Sequence, residues 1–140
     1  MINAALVGMG WWGQTIVEAV ADGSDDIRFV AGTTRSLSHD ARAFAAQHDL
    51  ELKASYEDVI ADPDIDAVVL VTPNSLHPSQ TIAAARNGKH VFVEKPFALT
   101  GADAQAAVDA ADQAGVTIGL GYNRRFHPEI NKLRDMINAG

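Results

Sequence analysis

Apolar residues along this chain fall into two alternating patterns. Short runs rich in β-branched residues, Ile2–Val7, Ile27–Thr33, Ala67–Val71, His90–Val93 and Val116–Leu120, are separated by longer stretches with apolar positions at helical spacing. Near-continuous apolar runs belong to strands buried on both faces, and their alternation with amphipathic stretches predicts βα units and a mostly parallel sheet. Glu51–Lys53 is a weaker candidate for a further strand. Gly23, Gly88 and Gly115 each follow a helical stretch, where a residue able to adopt positive φ closes a helix. Ser55 with Asp58, and Thr100 with Asp103, have the spacing of capping boxes. A last helix is expected to begin near Pro128, carry Ile130, Leu133 and Ile137 on one face, and close at Gly140.

Gly8, Gly10 and Gly13 stand directly after the first apolar run and open a helix whose buried face is expected to be Trp12, Ile16 and Val20. This G-x-G-x-x-G spacing has a physical purpose at each position. The first glycine makes a tight strand-to-helix turn, the second lets backbone approach a pyrophosphate, and the third lets helix and strand pack closely. The free N–H groups and positive dipole end of the helix then face the phosphates. Gly8, Met9, Gly10, Trp11, Trp12 and Gly13 are accordingly candidate dinucleotide contacts, although the apolar-face position of Trp12 also suits the core. The expected architecture is a doubly wound α/β sheet of Rossmann type, with the glycine loop at its switch point.

The end of the second strand reads Gly32, Thr33, Thr34, Arg35, Ser36, with no acid where a carboxylate would accept hydrogen bonds from the adenosine ribose. Hydroxyls and a guanidinium suit a 2′-phosphate, which a carboxylate would repel. NADP(H) is therefore expected over NAD(H) as cofactor, with Thr34, Arg35 and Ser36 as its contacts. The competing reading makes Arg35 a solvated loop residue and Ser36 or Ser38 a helix cap.

The chain has 140 residues, 47% of them hydrophobic, which suits one globular domain. Eighteen acidic and 11 basic residues give a formal charge of -7, which disfavours nucleic acid as a partner. No cysteine is present and the five histidines are scattered, so no metal site is expected. No apolar run is long enough to span a bilayer and no leader pattern precedes Ile2, so the expectation is a cytoplasmic protein with no membrane partner.

From Asp66 the sequence runs DAVVLVTPNSLHPSQTIAAARNGKHVFVEKPFALT. Thr72, Pro73, Asn74 and His77, then Gly88–Lys89–His90, then Glu94–Lys95–Pro96, together resemble the diagnostic region of the Gfo/Idh/MocA oxidoreductases, and Gly121–Tyr122–Asn123–Arg124–Arg125–Phe126 is similar to a later segment of that family. The resemblance implies a cofactor domain over residues 1–121, with 122–140 leading toward a second, substrate-binding domain beyond Gly140. It further implies hydride transfer between nicotinamide and a sugar, cyclitol or related hydroxyl compound, and a homo-oligomer in the full-length protein.

By the residues themselves, Asn74 and Glu94–Lys95 follow strand ends, the edge where open α/β sheets bind ligands. Lys95 is the candidate catalytic residue, because an ammonium beside the nicotinamide hydrogen-bonds a substrate oxygen and stabilises charge developing on it. Thr72, Pro73, Asn74, His77, Glu94, Asn123 and Arg124 are candidate cofactor contacts. Each also has a plainer reading: a turn for Thr72–Asn74, a first-turn helix residue for His77, a surface ion pair for Glu94 and Lys95, a solvated turn for Asn123–Arg125. The alternative class is a dinucleotide-binding regulator of the same fold; the intact Glu94–Lys95–Pro96 favours an enzyme.

Overall fold

A computed structural model describes all residues, 1–140. Six parallel strands form one sheet: β1 (Ile2–Val7), β2 (Ile27–Thr33), β3 (Glu51–Leu52), β4 (Ala67–Leu70), β5 (His90–Val93) and β6 (Ile118–Leu120). Their spatial order is β3-β2-β1-β4-β5-β6, so the direction of winding reverses between β1 and β4. This is the doubly wound arrangement expected from the alternating patterns. The expected strands Ala67–Val71, Val116–Leu120 and Glu51–Lys53 end or begin short of Val71, of Val116 and Thr117, and of Lys53. At Val71 the ladder is over because the chain there turns into the cleft described below.

Helices α1 (Trp11–Gly23) and α2 (His39–Gln47) cover one face of the sheet, and α3 (Tyr56–Ala61), α4 (His77–Arg86) and α5 (Gly101–Ala114) cover the other. Alternation along the strands divides the core accordingly. Val7, Val68, Leu70, Val91 and Val93 pack with Val59, Ile60 and Ala84, whereas Leu6 and Val69 pack with Met9, Val17, Phe44 and Ala45. Both capping boxes form: Ser55 Oγ accepts from Asp58 N–H, and Thr100 Oγ1 accepts from Asp103 N–H. Gly88 and Gly115 adopt positive φ as expected.

Several expectations are corrected. Gly23 is the last residue of α1 rather than a positive-φ cap, and the chain leaves the helix through extended Ser24. The buried face of α1 is Gly13 and Val17; Trp12, Ile16 and Val20 are only half-buried. The cause is the close seating of Gly13 on β1, which turns the neighbouring stripe toward the open end of the sheet. On that side Trp12, Ile16 and Val20 border an open recess with Phe92 of β5 and Leu120 of β6, and Phe92 remains exposed. The last helix, α6 (Pro128–Asn138), forms as expected but buries nothing, and Ile130, Leu133 and Ile137 are exposed. No helix is long and apolar enough to cross a membrane.

Candidate functional site

In a parallel sheet every strand delivers its carboxyl end to the same edge, and here those ends carry the singled-out residues. β1 runs into Gly8, β2 into Thr34, β4 into Val71–Thr72, β5 into Glu94–Lys95, and β6 into Gly121–Tyr122. Backbone bonds lock neighbouring ends together: Gly8 N–H to Thr33 O at 2.9 Å, Val71 N–H to Val7 O at 2.9 Å, Glu94 N–H to Leu70 O at 3.1 Å, and Gly121 N–H to Val93 O at 2.9 Å.

The glycine loop behaves as its spacing requires. Gly8 has φ +101°, and a Cβ there would lie 2.8 Å from Val71 O. At Gly13 a Cβ would lie within 2.4 Å of Gly8 O, so only hydrogen allows α1 to start this close to β1. Around Gly10 there is open space, with no atom within 4 Å of the Cβ position. Gln14 N–H is the first to bond back, to Gly10 O, and no side chain caps the helix start. The N–H groups of Trp11, Trp12 and Gly13 therefore lack intrahelical acceptors. An open approach at Gly10 together with unpaired helix N–H groups fits a dinucleotide pyrophosphate.

Two adjoining clefts flank this loop. The first, of about 390 Å³, is lined by Gly8–Gly10, Thr33–Ser36, Ala54–Tyr56, Val71–Pro73, Leu76 and Gln80. The second, of about 450 Å³, is lined by Trp11, Trp12, Val71, Thr72, Asn74, His77, Glu94, Lys95, Asn123 and Arg124. They share Val71 and Thr72, which form the waist between them. Thr34, Arg35 and Ser36 thus stand at the opposite end from Glu94 and Lys95, as a dinucleotide with its adenosine at one end and nicotinamide at the other requires. At the first end the cap of α2 is Ser38, whose Oγ accepts from Ala41 N–H, leaving Arg35 and Ser36 facing the cleft. Lys95, Asn123 and Arg124 also border an outer recess with Gly121, Tyr122 and Arg125.

Individual roles differ from those expected. Met9 presents only backbone to the cleft: its side chain is buried in the core against Gly32. Trp11 is exposed, and Trp12 is a half-buried wall of the second cleft rather than a core residue. Glu94 forms no ion pair with Lys95. Its carboxylate is buried, accepts the Lys95 N–H at 3.2 Å, and lies so close to Gly121 that a Cβ there would be 2.6 Å from Oε1. Lys95 itself is exposed, with its ammonium unpaired. The imidazole of His77, expected to face the cofactor, has both nitrogens occupied by backbone: Nδ1 lies 2.9 Å from Pro96 O and Nε2 2.9 Å from Thr72 O.

Sequence reasoning missed Ser55, Tyr56, Leu76 and Gln80 in the first cleft. Ser55 and Tyr56 follow β3, so the strand-edge rule applied to that short strand would have found them. Gln80 sits three residues beyond His77 on one helix face. The Tyr56 hydroxyl, which donates to Gln80 O at 2.6 Å, titrates well above the usual tyrosine range because it is buried.

The fold, the glycine loop and the strand-end cleft define a dinucleotide-binding domain. The chain belongs to the Gfo/Idh/MocA family: the model for its NAD-binding Rossmann fold matches residues 2–122. It is 46% identical over 86 residues to the 1,5-anhydro-D-fructose reductase of Ensifer adhaerens, a match covering 61% of this chain and 26% of the reductase. It is 40% identical over 102 residues to the NAD(+)-dependent scyllo-inositol 2-dehydrogenase of Bacillus subtilis, covering 71% of this chain and 30% of the dehydrogenase. The crystal structure of an NAD-binding protein from Listeria innocua superposes with a TM-score of 0.89 at 31% identity, covering 99% of this chain and 40% of that one. The chain therefore spans less than half the length of these relatives.

Proposed function

We propose that this chain is the cofactor-binding half of an oxidoreductase that prefers NADP(H) and interconverts a hydroxyl and a carbonyl group on a sugar, cyclitol or related compound. Residues 1–121 hold the dinucleotide, and 122–140 lead toward a substrate-binding domain, through which the full-length protein assembles as a homo-oligomer. The observation that carries the reading is the pair of clefts joined at Thr72, with phosphate-binding chemistry at one end and a free lysine at the other.

Thr34, Arg35 and Ser36 hold the 2′-phosphate through hydroxyl and guanidinium donors. The start of α1 receives the pyrophosphate over Gly10, with backbone of Gly8 and Met9 below it. Trp11, Trp12, Thr72, Pro73, Asn74, Glu94, Asn123 and Arg124 surround the nicotinamide end. When bound, the nicotinamide takes up or gives the hydride. Lys95 hydrogen-bonds the substrate oxygen with its unpaired ammonium and stabilises negative charge that develops there. The buried Glu94 carboxylate holds the Lys95 backbone, so the residue projects from a fixed base. The kinship with reductases and dehydrogenases named for anhydrofructose and scyllo-inositol supports the substrate class.

Titration of the chain with NADPH and NADH, followed by nicotinamide fluorescence, tests the cofactor reading. Tighter binding of NADPH is expected. Equal affinities would remove the role given to Thr34, Arg35 and Ser36, and no binding of either would remove the cofactor site.

A further inference from the structure

His77 is fully buried, with no surface open to a ligand, although it opens α4 and stands among the residues around the second cleft. Its rigid ring spans two loops from different strands: Thr72 O, just after β4, and Pro96 O, just after Lys95. A carbonyl oxygen only accepts, so the neutral ring bonds one of the two and the doubly protonated ring bonds both. Thr72 is tied to α4 a second time, because its hydroxyl donates to Gln80 Oε1 at 2.5 Å. Gln80 is in turn held by the Tyr56 hydroxyl. Thr72 is thus fixed to α4 from two sides, and the same helix reaches the Lys95–Pro96 loop through His77 alone among the side-chain bonds formed there. Nothing else that bonds Pro96 through a side chain links the chemical end of the cleft to its waist.

We infer that His77 is a positioning residue: it sets the Lys95–Pro96 loop against Thr72 and so shapes the seat of the nicotinamide without touching the cofactor. This rests on the cofactor reading above. The 2′-phosphate seat, Thr34–Ser36, follows β2 and makes no bond to His77, and the α4 side of that cleft keeps its Thr72 Oγ1–Gln80 and Tyr56–Gln80 bonds when His77 is lost, so the adenosine end does not depend on the tie to Pro96. Loss of His77 then acts on one end of the dinucleotide only, whereas a residue that merely stabilises the fold would act on both.

The test compares NADPH with 2′-phospho-ADP-ribose, which lacks the nicotinamide, on the parent chain, on His77→Ala and on His77→Gln. The glutamine fills most of the space and retains a donor, so it carries the test if the alanine variant does not fold. The parent is expected to bind both ligands and to change the nicotinamide fluorescence on binding. In the folded variants the affinity for 2′-phospho-ADP-ribose should stay within about twofold of the parent. NADPH should lose about fivefold or more in affinity, and most of the fluorescence change should disappear. Equal weakening of both ligands would make His77 a structural residue and overturn the inference, as would an unaltered nicotinamide signal. A parent that binds both ligands without any fluorescence change would overturn it too, since there would be no nicotinamide seat to set. A parent that binds neither would instead refute the cofactor site itself, and the inference with it.

Discussion

Replacing Gly8 by alanine and Gly10 by alanine or valine separates the architectural glycine from the one that faces the ligand. At Gly8 the backbone has φ +101°, and the added Cβ would meet Val71 O at 2.8 Å and Val71 C at 3.0 Å, all of it main chain in a strand-end lattice that cannot yield. The left-handed conformation costs an alanine about 1–2 kcal/mol and the overlap about 1–3 more, or roughly 2–5 kcal/mol together. For a domain of this length each kcal/mol moves the melting temperature by about 3–4 °C, so Gly8→Ala should melt roughly 6–20 °C below the parent. Gly10 is different: φ -74° and ψ 176° suit any residue and no atom lies within 4 Å of a Cβ. Gly10→Ala should therefore melt within a few degrees of the parent, or slightly above it, because glycine-to-alanine at a compatible site is worth about 0.4–1 kcal/mol. Gly10→Val should keep a cooperative melt but lose NADPH binding, since its branches occupy the pyrophosphate approach. Circular-dichroism melts with fluorescence titration on the same samples supply both readouts. A Gly8→Ala variant as stable as the parent would refute the turn argument, and NADPH bound by Gly10→Val at parental affinity would refute the phosphate site.

Thr34→Asp should cut NADPH affinity about tenfold or more by placing a carboxylate against the 2′-phosphate, while NADH binding is retained or improved; calorimetric titration decides. Lys95→Ala should leave NADPH affinity within about twofold, because the adenosine and pyrophosphate contacts lie elsewhere, but should depress the hydride-transfer rate of the full-length protein in stopped-flow measurements. The Asp62 carboxyl is held below its ordinary value of 3.8, first by the hydrogen bond from Lys53 and next by Asp64 N–H, so its contribution is present above that pH and is lost as acidification reaches the lower folded value. Asp62→Asn should accordingly lower the melting temperature at neutral pH and narrow the gap to the parent in acid, a result that melts from pH 7 to pH 2 would check.

The parallel sheet was legible because its strands are buried on both faces and so leave near-continuous apolar runs, and the cleft was legible because such a sheet delivers every strand end to one edge. What periodicity could not supply is how closely an element sits. The apolar stripe Trp12, Ile16 and Val20 has the right spacing for a core face, but the helix turns Gly13 and Val17 inward because only a hydrogen fits against Gly8 O. His77 looked like a ligand contact because it stands beside the cleft in sequence; its two nitrogens are consumed by carbonyls 5 and 19 residues away, which no local pattern encodes. Gln80 escaped notice for the same reason, since its partners Thr72 and Tyr56 come from two other elements.

The distribution of charge bears on how an acidic chain can take a polyanionic cofactor. With 18 acidic and 11 basic residues the chain repels a dinucleotide at long range, but at physiological ionic strength that field decays over about 8 Å. Within that distance the lining of the two clefts decides the outcome, and its charged members are Arg35, Lys95 and Arg124 against the single carboxylate of Glu94. That carboxylate is directed to the Lys95 backbone and packed on Gly121, which withdraws it from a ligand's phosphates. The cations stand at the two ends, while the middle relies on the uncharged N–H groups at the start of α1. On the proposed reading Arg35 would meet the 2′-phosphate and the neutral N–H donors of α1 the pyrophosphate, the two anionic parts of the ligand, whereas the nicotinamide ring carries no negative charge, so Lys95 and Arg124 at that end are left to a substrate oxygen and add little to dinucleotide affinity.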